Sequence, residues 1–176
     1  MKKRIYALIL GGIFAFAGCP LTSIAQTAST AEPTTVTKGK PYKENWANTK
    51  VILKKKIWTV EDKNNDNNTW EDLDAGAPAY NGANATVNAD DWLVSPPLHL
   101  IAGQTYALEA GAVVGGHSGT GQRMNIAYGT GDDPTTYNEI VPTTPISGTA
   151  FGTPTTIKTT FTPTETGDYR IGFHAV

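Results

Sequence analysis

The sequence predicts an all-β domain, a jelly-roll β-sandwich, and three observations carry that prediction. Short runs rich in Val, Ile, Tyr and Trp recur along the chain, and such residues favour the pleated, half-buried surface of a strand. Between them stand clusters of Thr, Gly, Asn and Pro, the residues of turns. Beyond the first 25 residues no apolar period of 3.6 is sustained and no block repeats at fixed spacing, which argues against long helices, solenoids and propellers.

The N-terminus is a separate matter. Lys2, Lys3 and Arg4 precede an apolar run from Ile5 to Ala17, shorter than the roughly 20 residues a membrane span needs. With Ser23-Ile24-Ala25 as a small-residue cleavage motif, residues 1–25 read as a signal peptide and the exported chain is expected to begin at Gln26. An alternative is the lipobox-like Phe16-Ala17-Gly18-Cys19, which would leave Cys19 lipidated. Phe16 stands where that pattern prefers Leu, and Pro20 directly after the cysteine is unusual. Cys19 is the single cysteine, so the processed chain can form no internal disulfide.

From Gln26 to Lys40 the chain is Thr, Ala, Pro and Lys with few large apolar groups, and a flexible leader is expected, followed by one domain over 41–176. Ile57–Val60 reads as a strand, Glu61–Asn68 as a polar loop, and Trp70 as a return to the core. Asn81-Gly82 signals a tight turn. Trp92–Val94 reads as a strand stopped by Pro96-Pro97, since proline cannot donate to a ladder. Thr105–Ala112 alternates Tyr106, Leu108 and Ala110 with Thr105, Ala107 and Glu109, the pattern of a half-buried strand. Gly115–Gly121 is a loop; Met124–Tyr128, Thr156–Phe161 and Tyr169–Ala175 complete about seven strands.

Of the 14 Lys and Arg residues three lie in the first four positions, leaving 11 against 16 acidic residues in the exported chain. That acidic balance speaks against nucleic acid as a partner. Its length, about 150 residues, suits one domain.

The loop from Asp62 to Trp70 places oxygen-bearing side chains at alternate positions, Asp62, Asn64, Asp66 and Asn68, as a loop needs to wrap a hard cation. Calcium is the expected ion, with Asp91 a further candidate ligand. It is no EF-hand, because Asn67 and Leu73 stand where that motif has Gly and Glu. Gly116–Arg123 has the outline of a phosphate loop but carries Gln122 and Arg123 in place of Lys and Ser or Thr, so a surface loop is the better reading. Ser118 lacks the second glycine of a nucleophile elbow. His99, His117 and His174 have no second His or Cys at ligand spacing and give zinc no support. Trp58, Trp70 and Trp92 are expected in the core, which leaves Trp46, beside the leader, as the candidate exposed aromatic for stacking on a sugar.

Ala89-Asp90-Asp91-Trp92-Leu93-Val94-Ser95-Pro96-Pro97-Leu98, Ala102-Gly103-Gln104-Thr105-Tyr106, Phe161-Thr162-Pro163 and Gly167–Ala175 together resemble the cleaved-adhesin or choice-of-anchor J family. The resemblance implies a galactose-binding-like jelly roll, secreted in Bacteroidetes as in the adhesin regions of gingipain proteases, and it associates loops like Asp62–Trp70 with calcium. In the family one more strand usually follows the segment equivalent to Gly167–Ala175. The resemblance therefore implies a domain lacking its last strand, with an open sheet edge disposed to self-association.

The function expected is a non-catalytic adhesin-like module, extracellular or at the cell surface, binding a host protein or glycan. Its alternatives are an accessory domain of a secreted hydrolase or protease, or a remnant of a longer exported protein. An enzyme would need a converging carboxylate pair such as Asp90 or Asp91 with Glu109. Adjacent residues of a strand face opposite ways, so Asp90 and Asp91 are a poor pair for each other.

Overall fold

The computed structural model describes residues 11–15, 31–73, 76–80, 87–113, 122–146 and 154–176. Asn81-Gly82, His117 and Ser118 lie outside these. The described strands are β1 (Gly11–Ala15), β2 (Thr34–Thr35), β3 (Tyr42–Glu44), β4 (Thr59–Asp62), β5 (Trp70–Asp72), β6 (Pro78–Tyr80), β7 (Asp91–Val94), β8 (Leu98–Leu100), β9 (Tyr106–Ala112), β10 (Arg123–Thr130), β11 (Asn138–Pro145), β12 (Thr155–Phe161) and β13 (Gly167–Ala175). A six-residue helix, α1 (Thr49–Lys54), and one 3-10 turn at Pro134–Thr136 complete the elements. No described helix is long and apolar enough to cross a membrane.

One sheet runs β12-β9-β1-β3; the second runs β11-β10-β13-β7-β4, with β8 also paired to β13 and β2 to β8. The sandwich follows from the period-2 burial of its strands. On β9, Tyr106, Leu108 and Ala110 are buried while Ala107 and Glu109 are half-buried. On β13, Tyr169, Ile171 and Phe173 share the core with Leu93 of β7 and Ile126 of β10, and the two inner faces close on one another in a single apolar cluster.

The outer face of the second sheet is covered too. Trp92 of β7 lies on Gly172 of β13, where an added Cβ would meet the indole at 2.8 Å, and Tyr137 lies on Gly129. These glycines are required for close approach of rings, not for turns.

Strands β7 and β8 are one line of chain broken at Ser95-Pro96-Pro97, and both pair with β13. Neither proline can donate to the ladder, and Ser95 repairs the break. Its N–H donates to Ile171 O at 2.9 Å, while its Oγ accepts the Ile171 N–H at 2.9 Å and donates to Pro96 O. Buried Arg170 donates from its guanidinium to Ser95 O at 2.9 Å and pairs with Asp132 at 3.2 Å. Ser95→Ala leaves the Ile171 N–H buried without an acceptor, so a loss of about 1–3 kcal/mol of stability is expected in denaturant unfolding.

Three expectations are corrected. The leader reading of Gln26–Lys40 fails from Thr34 onward: β2 pairs in parallel with Leu98–His99, and Val36 is buried in the core. A single valine at the right spacing after a strand pair is enough to dock a segment whose average composition is polar. No open ladder lies beside Tyr169–Ala175, because β13 is flanked by β10 on one side and by β7 and β8 on the other. Trp46 is not exposed. It is 2% accessible, and its ring lies 4.8 Å from that of Trp58. Trp58, Trp70 and Trp92 are buried as expected.

A buried acidic cluster as the candidate functional site

The site forms where β4 runs into the polar loop. The β4–β7 register sets Asp62 directly opposite Asp91, so the two carboxylates start from facing positions on adjacent strands. The loop then folds on its own side chains. Asp62 Oδ1 and Oδ2 accept the N–H groups of Asp66 at 3.3 Å and Asn67 at 3.0 Å. Asn64 Oδ1 also accepts from Asp66 N–H, while Asn64 Nδ2 donates to Asn88 O at 2.8 Å. Asp66 Oδ1 accepts the Asn68 N–H at 2.8 Å, and Asn68 Nδ2 donates to Asp66 O. Such Asx turns are what closely spaced Asp and Asn make, and Asn65 and Asn67 take the left-handed backbone that asparagine tolerates.

The alternating residues thus divide by role. Asn64 Oδ1 and Asn68 Nδ2 hold the turn. Two carboxylate oxygens are left over: among the described residues Asp66 Oδ2 and Asp91 Oδ1 are buried with no hydrogen-bond partner of good geometry. Thr69 Oγ1 and Tyr80 OH, buried beside them, also lack a partner of proper geometry. Trp70 seals the floor, donating its indole N–H to Asp91 O at 3.1 Å and meeting Tyr80 edge-on at 6.2 Å.

The electrostatics follow from that burial. Asp91 is inaccessible to solvent, and its carboxylate accepts the Asp90 N–H at 3.2 Å. Its pKa is pushed up to about 6, first by desolvation and further by the charges of Asp62 and Asp66; the nearby Thr69 hydroxyl and the Asp90 N–H oppose the rise. Burial, with the same three carboxylates, also drives the Tyr80 phenol upward. Among the described residues none of Asp62, Asp66 and Asp91 forms an ion pair with Lys, Arg or His. Nor, among those residues, does any group of three His, Cys, Asp or Glu side chains stand at metal-ligand spacing. Unsatisfied buried oxygens and uncompensated charge are the chemistry that a hard cation meets, and among the described residues Asp66 and Asp91 carry those carboxylate oxygens.

The remaining candidates have local partners. His174 Nε2 meets Asp90 Oδ1 at 2.7 Å, and its ring stacks on Trp92 at 4.0 Å. Burial lowers the His174 pKa against the opposing pull of Asp90. His99 Nδ1 meets Asp168 Oδ1 at 2.8 Å. Glu109 pairs with Lys158 at 3.0 Å on the other sheet from Asp90. Asp91 was legible only as a possible further ligand; its cross-strand position opposite Asp62 is a matter of register, which sequence does not give.

No known family profile matches the chain, and no curated protein matches it. Among solved structures it is similar to the K3 cleaved adhesin domain of Lys-gingipain from Porphyromonas gingivalis w83. The identity is 20%, the match covers 68% of this chain and 82% of that one, and the TM-score is 0.43. At a TM-score of 0.43 the likeness carries no conclusion about this chain.

Proposed function

We propose that the chain is an exported, non-catalytic binding module of the adhesin kind, that calcium held by Asp66 and Asp91, with Asp62 adding negative charge beside them, stabilises it, and that it engages a host protein or glycan through its loops. The single observation behind the calcium reading is Asp91: an inaccessible carboxylate facing a second one across two strands, with one oxygen left over, has a large unmet need for positive charge. A divalent ion would meet it. The sequence segments that resemble cleaved adhesins supply β7 and β13 and lead into β9, strands of the sandwich, so they support the scaffold and leave recognition to the loops.

Thermal unfolding with calcium and with chelator tests the metal. A cation bound only by the native loop adds roughly 2.7 kcal/mol at a hundredfold excess over its dissociation constant, so chelation should lower the melting temperature by several degrees. Asp66→Ala should abolish that difference, while Lys63→Ala, whose ammonium points to Glu61 and Asp133, should leave it. Unchanged melting in chelator removes calcium from the reading. Binding to immobilised host matrix proteins and to a glycan array, each with and without calcium, tests adhesion; no retention on either surface removes the adhesin role.

A further inference from the structure

Strand β1 comes from an unexpected place, the apolar N-terminal run, and it is an inner strand. Gly12–Ala15 pair with Tyr106–Glu109 of β9, and Gly11–Ile13 pair with Tyr42–Glu44 of β3. We propose that the position between β9 and β3 is a strand-acceptor site, filled by residues 11–15 in the unprocessed chain and, after their removal, by an extended apolar segment of a separate polypeptide running antiparallel to β9. The proposal rests on the export reading in one respect, that a cell removes the residues before Gln26.

The chemistry of the site is that of an interrupted sheet. On its far edge β9 is paired along its whole length, Ala112 with Thr155 through Tyr106 with Phe161. On the near edge, removing β1 leaves the backbone donors and acceptors of Tyr106–Glu109 unmatched and detaches β3 from its sheet. An incoming peptide recovers the β9 ladder on one edge and offers its other edge for β3 to pair again, so it satisfies backbone groups on two edges, as a peptide added to an ordinary sheet edge does not.

The register states what fits. Ile13 stands opposite Leu108 and Ala15 opposite Tyr106, and on β9 those two residues are the ones on the core face, 3% and 0% accessible. An occupant needs apolar residues at these alternate positions, where it meets the core-facing side of β9. Only four of the seven residues of β9 are paired by β1, so a strand longer by two or three residues gains hydrogen bonds along Ala110–Ala112. A second copy is the weaker occupant, because its other described apolar strands are already paired within their own sheets.

The test uses the full chain with a protease site placed between Ala25 and Ala31, folded first and then cut, so that it does not depend on processing in a cell. The N-terminal fragment should stay with the domain through size exclusion and exchange for a labelled peptide of residues 9–17. That peptide should bind saturably and raise the melting temperature of the cut domain by roughly 5 °C, whereas the same peptide carrying Ile13→Pro, which lacks a ladder N–H, should bind at least about tenfold more weakly. Loss of the fragment with no uptake of peptide overturns the proposal, and so does a cut domain that dimerises and excludes the peptide. Mass analysis of the N-terminus of the exported protein examines the export reading separately, a start at Gln26 supporting it and a lipidated Cys19 opposing it.

Discussion

Asp91→Asn should make the metal-free protein more stable at neutral pH and at the same time abolish its response to calcium. A carboxyl whose folded pKa stands at about 6, above the ordinary 3.8, contributes stability that is fully present below the lower value and is lost as pH rises through the upper one. At pH 7.5 without metal, the fold therefore holds a buried, charged carboxylate beside Asp62 and Asp66. An amide of the same shape removes that charge, and the gain is on the order of 3 kcal/mol at most, from a rise of roughly two pKa units. Between pH 4 and 5 the advantage should shrink toward zero. His174 acts in the opposite direction: its lowered pKa means that stability falls as pH drops through about 6.5 and below. The wild-type pH profile is thus a sum of opposed slopes, and the difference between wild type and Asp91→Asn isolates the carboxyl. With calcium present the sign reverses, because the wild type gains a ligand and the variant does not. A variant that is less stable than the wild type in chelator at pH 7.5 would show that the carboxylate is satisfied without a cation.

Much of the sandwich was legible because alternation is a local property. Tyr106, Leu108 and Ala110 announce a strand from their own spacing, and Pro96-Pro97 announce its interruption. Strand β11 was not legible: Asn138–Pro145 contains two prolines and has one buried residue, Val141, because it lies at the end of its sheet and pairs on one side with β10. Helix α1 was missed because six residues are too few for a period to declare itself. In the site, the loop was read from its Asp and Asn spacing, but the division of labour was not. Which oxygens are consumed by Asx turns, and which face a partner strand, depends on backbone conformation at Asn65 and Asn67 and on the pairing of β4 with β7, and neither is encoded in residue type alone. The strand at Gly11–Ala15 shows a related limit, since an apolar run suited to an export signal is equally suited to an inner strand of a sheet.

Trp46→Ala should cost about 3–5 kcal/mol, the range for deleting a large buried aromatic, and it should do so without touching any ligand. The sequence places Trp46 next to a polar segment, among Asn45, Ala47 and Asn48, where an exposed ring would be expected. Two contacts and one backbone angle bring it inside. Glu44 Oε1 accepts the Trp46 backbone N–H at 3.0 Å, the chain takes a positive φ there, and the ring then packs against Trp58, which itself stacks near Phe173 of the central strand. Trp58 is oriented in turn by its indole N–H, which donates to Tyr42 OH at 3.1 Å and to Glu44 Oε2 at 3.3 Å. Glu44 thus fixes both indoles, and Trp46 closes the end of the core nearest β3. The two readings of this residue separate in one pair of measurements. A core residue, when truncated, lowers the denaturant midpoint sharply and leaves the affinity of whatever fraction remains folded unchanged; a sugar-stacking residue lowers affinity at constant stability. A midpoint within error of wild type would return Trp46 to the surface and make it the first place to look for a glycan.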